Sequence, residues 1–109
     1  MGLSEPLSVT DSLLSIDTYV PLGAIDTGTA KSLVYTLAVV TNNLKWTVYG
    51  ANAADYSDEA VVQSEATVNA GALGTYTTVQ AVYRYYRAKL KAAVGGSQGT
   101  GTIRGVAKN

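Results

Sequence analysis

The chain has no cysteine, no histidine and no phenylalanine, and only two prolines and one methionine among its 109 residues. Without cysteine there can be no disulfide and no thiolate metal site. Without histidine the usual general base near neutral pH is missing, and with it the serine and cysteine triads that depend on one. A zinc site would have to be built from carboxylates alone. Tyrosine, Trp46, valine, leucine and alanine must fill the interior that phenylalanine would otherwise share. No run approaches the ~20 apolar residues of a membrane span, and the longest, Leu37 to Val40, is strand-sized. The first six residues, Met1 to Pro6, lack the basic stretch and apolar core of a secretory signal, so synthesis in the cytoplasm is expected. No phosphate-loop or dinucleotide fingerprint occurs. The glycine-rich segment Gly95 to Gly101 runs into a strand pattern where a phosphate loop needs a helix. These absences point to a protein that is not an enzyme and carries neither metal nor cofactor.

What remains is enough for one domain and one core. The formal net charge is zero but is unevenly spread. All eight acids precede residue 66, where only Lys31 and Lys45 oppose them. Arg84, Arg87, Lys89, Lys91, Arg104 and Lys108 follow with no acid, a split of −6 against +6. Two explanations stand side by side: acidic and basic strands pair across the sheets of one molecule, or the two signs form complementary faces between subunits.

The apolar residues recur with period two in short segments separated by turn residues, the pattern of an antiparallel β-sandwich or jelly roll of about eight strands. Strands are expected at Leu7 to Leu14, Asp17 to Pro21, Ser32 to Val40, Lys45 to Gly50, Ala60 to Val68, Thr75 to Gln80, Val82 to Ala93 and Thr100 to Ala107. Residues 1–14 read as an N-terminal arm or first edge strand, able to add to a neighbour's sheet. Residues 15–109 read as the single sandwich domain. Gly23-Ala24, Thr27 to Thr29, Asn42-Asn43, Ala70 to Gly74 and Gly95 to Gly99 fall between the strands. The Asn42-Asn43 pair has the form of a two-residue hairpin, which would make the third and fourth strands antiparallel neighbours. A helix over Val79 to Ala93 is disfavoured, because the cations there all fall at odd positions once three tyrosines are passed.

That segment alternates Tyr86, Ala88, Leu90 and Ala92 on one face with Arg87, Lys89 and Lys91 on the other. With Tyr85 it offers an aromatic and cationic surface. Base stacking is the sharper account of such a surface, but zero net charge weakens attraction to phosphates, so no nucleic-acid partner is expected. The polar segment Ala51 to Glu59 is the best exposed loop with a task. Its Asp55, Asp58 and Glu59 could hold calcium, but the spacing is not that of an EF-hand, and solvated carboxylates are the simpler account. The candidate partner-binding residues are therefore Tyr85, Arg87, Lys89 and Lys91 with Asp55, Tyr56, Asp58 and Glu59. Trp46, Tyr49, Tyr56 and Tyr76 supply the alternative, a carbohydrate-binding module.

Two stretches, Leu44-Lys45-Trp46-Thr47-Val48-Tyr49-Gly50-Ala51-Asn52 and Tyr83-Arg84-Tyr85-Tyr86-Arg87-Ala88-Lys89-Leu90-Lys91, resemble in order the discoidin-like β-sandwiches. In that family the pattern reflects core packing, and the binding loops have little counterpart here. The short, cysteine-free chain rich in alanine, glycine, threonine, valine and tyrosine, with its acidic front, Tyr-Arg-Tyr-Tyr-Arg strand and Gly-Ser-Gln-Gly-Thr turn, resembles tailed-phage virion proteins. The capsid decoration or cement proteins among these are small sandwich or jelly-roll domains, often trimers at lattice junctions. The resemblance implies a structural virion protein whose partners are its own copies and the major capsid protein, with neck or tail components as the variant. It implies no membrane and no small-molecule substrate.

Overall fold

The computed structural model describes residues 7–15, 17–28, 32–78, 83–96 and 98–108. They form eight strands: β1 (Leu7–Ser15), β2 (Val20–Asp26), β3 (Ser32–Thr41), β4 (Leu44–Ala51), β5 (Ala60–Val68), β6 (Leu73–Thr78), β7 (Tyr85–Ala92) and β8 (Gly99–Lys108). Sheet A has the order β1-β8-β3-β6 and sheet B the order β2-β7-β4-β5. Every pairing is antiparallel. This is the strand order of a jelly roll, in which two Greek keys interlock and close two sheets on one core. The all-β sandwich expected from the alternation is what the chain forms.

Alternation places the core between the sheets. Leu33, Tyr35, Leu37 and Val39 of β3 face Leu44, Trp46 and Val48 of β4 and Tyr86, Ala88 and Leu90 of β7, all buried. The inner face of β8, a central strand, is nearly bare. It carries Gly99, Gly101, Ile103, Gly105 and Ala107. Large neighbours occupy that space: a Cβ on Gly105 would lie 2.6 Å from the Tyr35 ring, one on Gly101 3.3 Å from Leu44 and 2.6 Å from the Ala38 carbonyl oxygen, and one on Gly99 would collide with Leu44. The Tyr35 hydroxyl crosses the core to donate to the Gly23 carbonyl.

The structure corrects three expectations. Asn42-Asn43 is not a hairpin. β3 and β4 lie in different sheets, and the chain turns a corner between them with Asn42 at φ 58°. The same turn chemistry serves a hairpin or a corner, and long-range partners decide which. The Asn42 amide donates to the Gln98 carbonyl (2.6 Å), the Asn43 side chain accepts from the Ala70 N–H (2.9 Å), and the Asn43 carbonyl accepts from the Ala93 N–H (2.9 Å). Among the described strands, β4 and β5 are the one consecutive pair that are neighbours. Second, Gly23-Ala24 lies within β2, where the register with β7 shifts between Leu22 and Ile25. Gly23 takes φ 68° there, a bulge that bends the strand. Third, Gly99 belongs to β8, and the sixth strand begins at Leu73. Of the segments expected as strands, 79–82 lie outside the described residues. β1 stands at the edge of sheet A, paired with β8 from Leu7↔Ala107 to Ser15↔Gly99.

Candidate protein-binding faces

The outer face of sheet B gathers most of the residues singled out above. Tyr85, Arg87, Lys89 and Lys91 form the outward row of β7. Opposite them on β4 stand Ala51, Tyr49, Thr47 and Lys45 respectively. The loop from β4 to β5 brings two more. The Tyr56 hydroxyl donates to the Tyr86 carbonyl (2.9 Å), and the Glu59 carboxylate takes Arg87 at 3.0 Å and Lys89 at 2.6 Å. Each cation also meets a ring: Arg87 lies 4.1 Å from the centroid of Tyr56, Lys89 4.7 Å from Tyr49, and Lys91 4.7 Å from Tyr19. Tyr56 and Tyr85 meet edge to face at 6.2 Å. Lys91 sits directly across from Lys45, an unfavourable pair. Lys45 leans to Glu65 at 3.8 Å and Lys91 to Tyr19, which spreads the two charges.

Asp55 and Asp58 do something else. The Asp58 carboxylate accepts the N–H groups of Asn52 and Ala53, and Asp55 accepts that of Ser57, so both shape the loop from within. Hydrogen bonding by Ser57 holds the Asp55 carboxyl below its ordinary range. The acidic front of the chain is consumed in the same way. Asp11 accepts the Gly23 N–H, Asp17 the Gly96 N–H, and Asp26 the Arg84 guanidinium. Of the two explanations for the −6/+6 split, pairing within the molecule accounts for Arg84, Arg87, Lys89 and Lys45.

Glu59 holds this face together and sets its response to acid. Burial disfavours its charge, but hydrogen bonds from Lys89 and Arg87 outweigh that and keep its pKa below the usual glutamate range. A carboxylate with a depressed folded pKa stabilises the fold above its unfolded pKa, and the contribution disappears as pH falls through the folded value. Glu59→Gln is expected to cost about 1–2 kcal/mol at pH 7. It should also make urea midpoints between pH 5 and 3 fall less steeply than those of the parent. Equal slopes would show that Glu59 is not a node of the face.

A second face gave no signal in the sequence reading because it has almost no charge. On the outside of sheet A, cross-strand rows run Ser8, Val106, Val34, Thr77; Thr10, Arg104, Thr36, Thr75; and Ser12, Thr102, Ala38, Leu73. All are exposed or half-exposed, and Arg104 is the one charge among them. A shallow depression of about 250 Å³ lies at its centre, lined by Thr36, Ala38, Thr102 and Arg104. The alternation of threonines in Thr100 to Thr102 and Thr75 to Thr77 was the available clue. Threonine and valine fit a pleated surface and pair well across its strands.

The tyrosines and tryptophan considered for sugar stacking are otherwise engaged. Trp46 is 1% exposed in the core, Tyr49 and Tyr56 hold Lys89 and Arg87, and Tyr76 is half-buried on the inner side of β6. Among the described residues no group of three or more acids could hold a metal ion.

No family model matches the sequence, and no curated protein matches it. Solved structures do share the fold. A chain of the Bacillus endospore appendages, described as a family of disulfide-linked pili, superposes with a TM-score of 0.54 at 13% identity, over 99% of this chain and 94% of its own. The SPBc2 prophage-derived protein YomS superposes with a TM-score of 0.55 at 8% identity, over 98% and 97%. PirA gives 0.45 at 14%, over 94% of both chains. At these identities the likeness is one of fold.

Proposed function

We propose that this chain is a structural subunit of a surface assembly, in the first place a virion protein of the decoration type, which acts by binding neighbouring subunits and not by catalysis. The observation that carries this reading is the outer face of sheet A, a four-stranded surface of threonine, serine, valine, alanine and Leu73 with Arg104 near its centre and Lys108 at the end of β8 as its charges among the described residues. Such a face loses little on desolvation, and Arg104 gives it one charge-assisted contact to fix register. It fits a protein surface of few charges with a carboxylate placed for Arg104, and the partner proposed is a capsid subunit. The fold shared with a prophage-derived protein and with a pilus protein supports the same class of function. The disulfide link of the pili has no counterpart here, because this chain lacks cysteine. A sugar-binding role is less well supported, since Trp46 is buried.

The test is made on particles from a host carrying the gene. Gold-labelled antibody against the purified chain should decorate intact virions, and Thr102→Asp should lower its copy number per particle at least tenfold while leaving the fold intact by circular dichroism. Virions bearing no copies of the parent chain would refute the virion reading. Unchanged occupancy by the variant would remove sheet A as the docking face.

A further inference from the structure

The two sheets leave four edge strands, β1 and β6 in sheet A and β2 and β5 in sheet B. An unpaired edge is a template for another chain, and proteins blunt such edges with proline, bulges or charge. Three of the four are treated in this way. β2 carries Pro21, a bulge at Gly23-Ala24 and Asp26. β5 carries Glu65, and its register with β4 shifts on both sides of Val48. β1 has Asp11 turned toward Gly23 on the sandwich side. β6, Leu-Gly-Thr-Tyr-Thr-Thr, has no charge, no proline and no bulge, and its register with β3 is unbroken from Leu33↔Thr78 to Ala38↔Leu73. Leu73 stands 67% exposed at its start.

We infer that β6 pairs with β6 of a second copy, antiparallel about a two-fold axis, so that two sheets A become one continuous sheet. The phase of the β3–β6 ladder gives the register. The Val39 N–H donates to the Ala72 carbonyl, so the even residues of β6 direct their backbone groups to β3. Leu73, Thr75 and Thr77 therefore turn theirs to the free edge, because the two directions alternate along an antiparallel strand. Pairs through that edge must join odd residues to odd residues, which also keeps inner face beside inner face. Centred on Thr75, the pairing sets Thr75 against Thr75 and Leu73 against Thr77 on the outside, a threonine pair and two apolar–threonine pairs with no like charges opposed. On the inside it sets Gly74 against Tyr76, so no two large side chains compete. The occupant is a second copy because the strand is complementary to itself in this register. The inference rests on the structural role proposed above and deepens it, since edge pairing joins two outer faces of few charges into one surface of twice the area. It also makes the assembly unit a two-fold pair in place of the trimer implied by the resemblance to decoration proteins.

The test uses the whole chain. Sedimentation equilibrium from about 1 µM to 500 µM should show a monomer–dimer equilibrium for the parent, and Thr75→Lys, which sets two ammonium groups face to face on the axis, should raise the dissociation constant at least a hundredfold. Amide exchange measured by NMR on the parent gives a second reading without mutation: the N–H groups of Leu73, Thr75 and Thr77 should be protected in the dimer and exchange freely in the monomer. A dimer unmoved by Thr75→Lys, or exposed amides at 73, 75 and 77 in the dimer, overturns β6 pairing while leaving the structural role standing. A parent chain that is monomeric throughout the range overturns the pairing. If it is also absent from virions, both proposals fall.

Discussion

Tyr35→Phe is expected to lower stability by about 1–3 kcal/mol at pH 7 and to reduce the loss of stability in alkali. The ring is fully buried between β3 and β8, lying over Gly105, and its hydroxyl donates to the Gly23 carbonyl at the bulge of β2. Phenylalanine keeps the ring but leaves that carbonyl without its donor in the interior, a penalty of about 1–3 kcal/mol. The alkaline effect follows from burial, which is the main force holding the Tyr35 phenol far above its ordinary value. The unfolded chain gives up that proton near pH 10 and the folded chain keeps it. The contribution is therefore whole below pH 10 and declines above it by up to ~1.4 kcal/mol per pH unit. Burial raises Tyr56 and Tyr76 in the same direction, so the variant should still weaken in alkali, but less steeply. Urea unfolding at pH 7, 9, 10 and 11 measures both effects. Parallel pH profiles for parent and variant would show that Tyr35 does not carry the alkaline response.

Gly101→Ala should be the costlier of two single-methyl additions to β8, with a loss of about 3 kcal/mol against about 1 kcal/mol for Gly99→Ala. The Cβ at position 101 would sit 2.6 Å from the carbonyl oxygen of Ala38 and 3.3 Å from the Cα of Val39. Both are backbone atoms of β3, held by the ladder that binds β3 to β8. Relief would require the two central strands of sheet A to move apart. At Gly99 the obstacle is a terminal methyl of Leu44, which another rotamer can remove at lower cost. Thermal melts of the two variants decide the order. Equal losses would mean that the β3–β8 ladder yields more easily than its register, unbroken from Ser32↔Lys108 to Val39↔Gly101, suggests.

Period-two alternation in β3, β7 and β8 made the all-β class legible, since buried and exposed residues do alternate along those strands. The same alternation, with a loop rich in acids before β5, was enough to bring Tyr85, Arg87, Lys89, Lys91, Tyr56 and Glu59 to one face. Asp55 and Asp58 were not separable from Glu59 by residue type. Their partners are backbone N–H groups a few residues away, while the partners of Glu59 are on β7. Connectivity was illegible where a turn residue fits two geometries. Asn42 at positive φ serves a corner as well as a hairpin, and the bonds that choose the corner come from residues 70, 93 and 98. Gly99 looks like a loop residue until Leu44 is seen lying over it. The outer face of sheet A was illegible because its described residues carry only Arg104 and Lys108 as charges and no ring, and threonine and valine rows do not distinguish a binding face from a solvated one.

The place of β8 sets the timing of folding. It runs between β1 and β3, joining the first described strand to the last, Leu7 to Ala107. As the chain is synthesised, β4 and β5 can pair as soon as both have emerged, but β1 and β3 must wait, unpaired with each other, until residues 99–108 leave the ribosome. Pairings this distant in sequence make closure slow, on the order of milliseconds to seconds. β6 can join β3 earlier. A nascent chain therefore cannot complete the outer face of sheet A until β8 is inserted between β1 and β3.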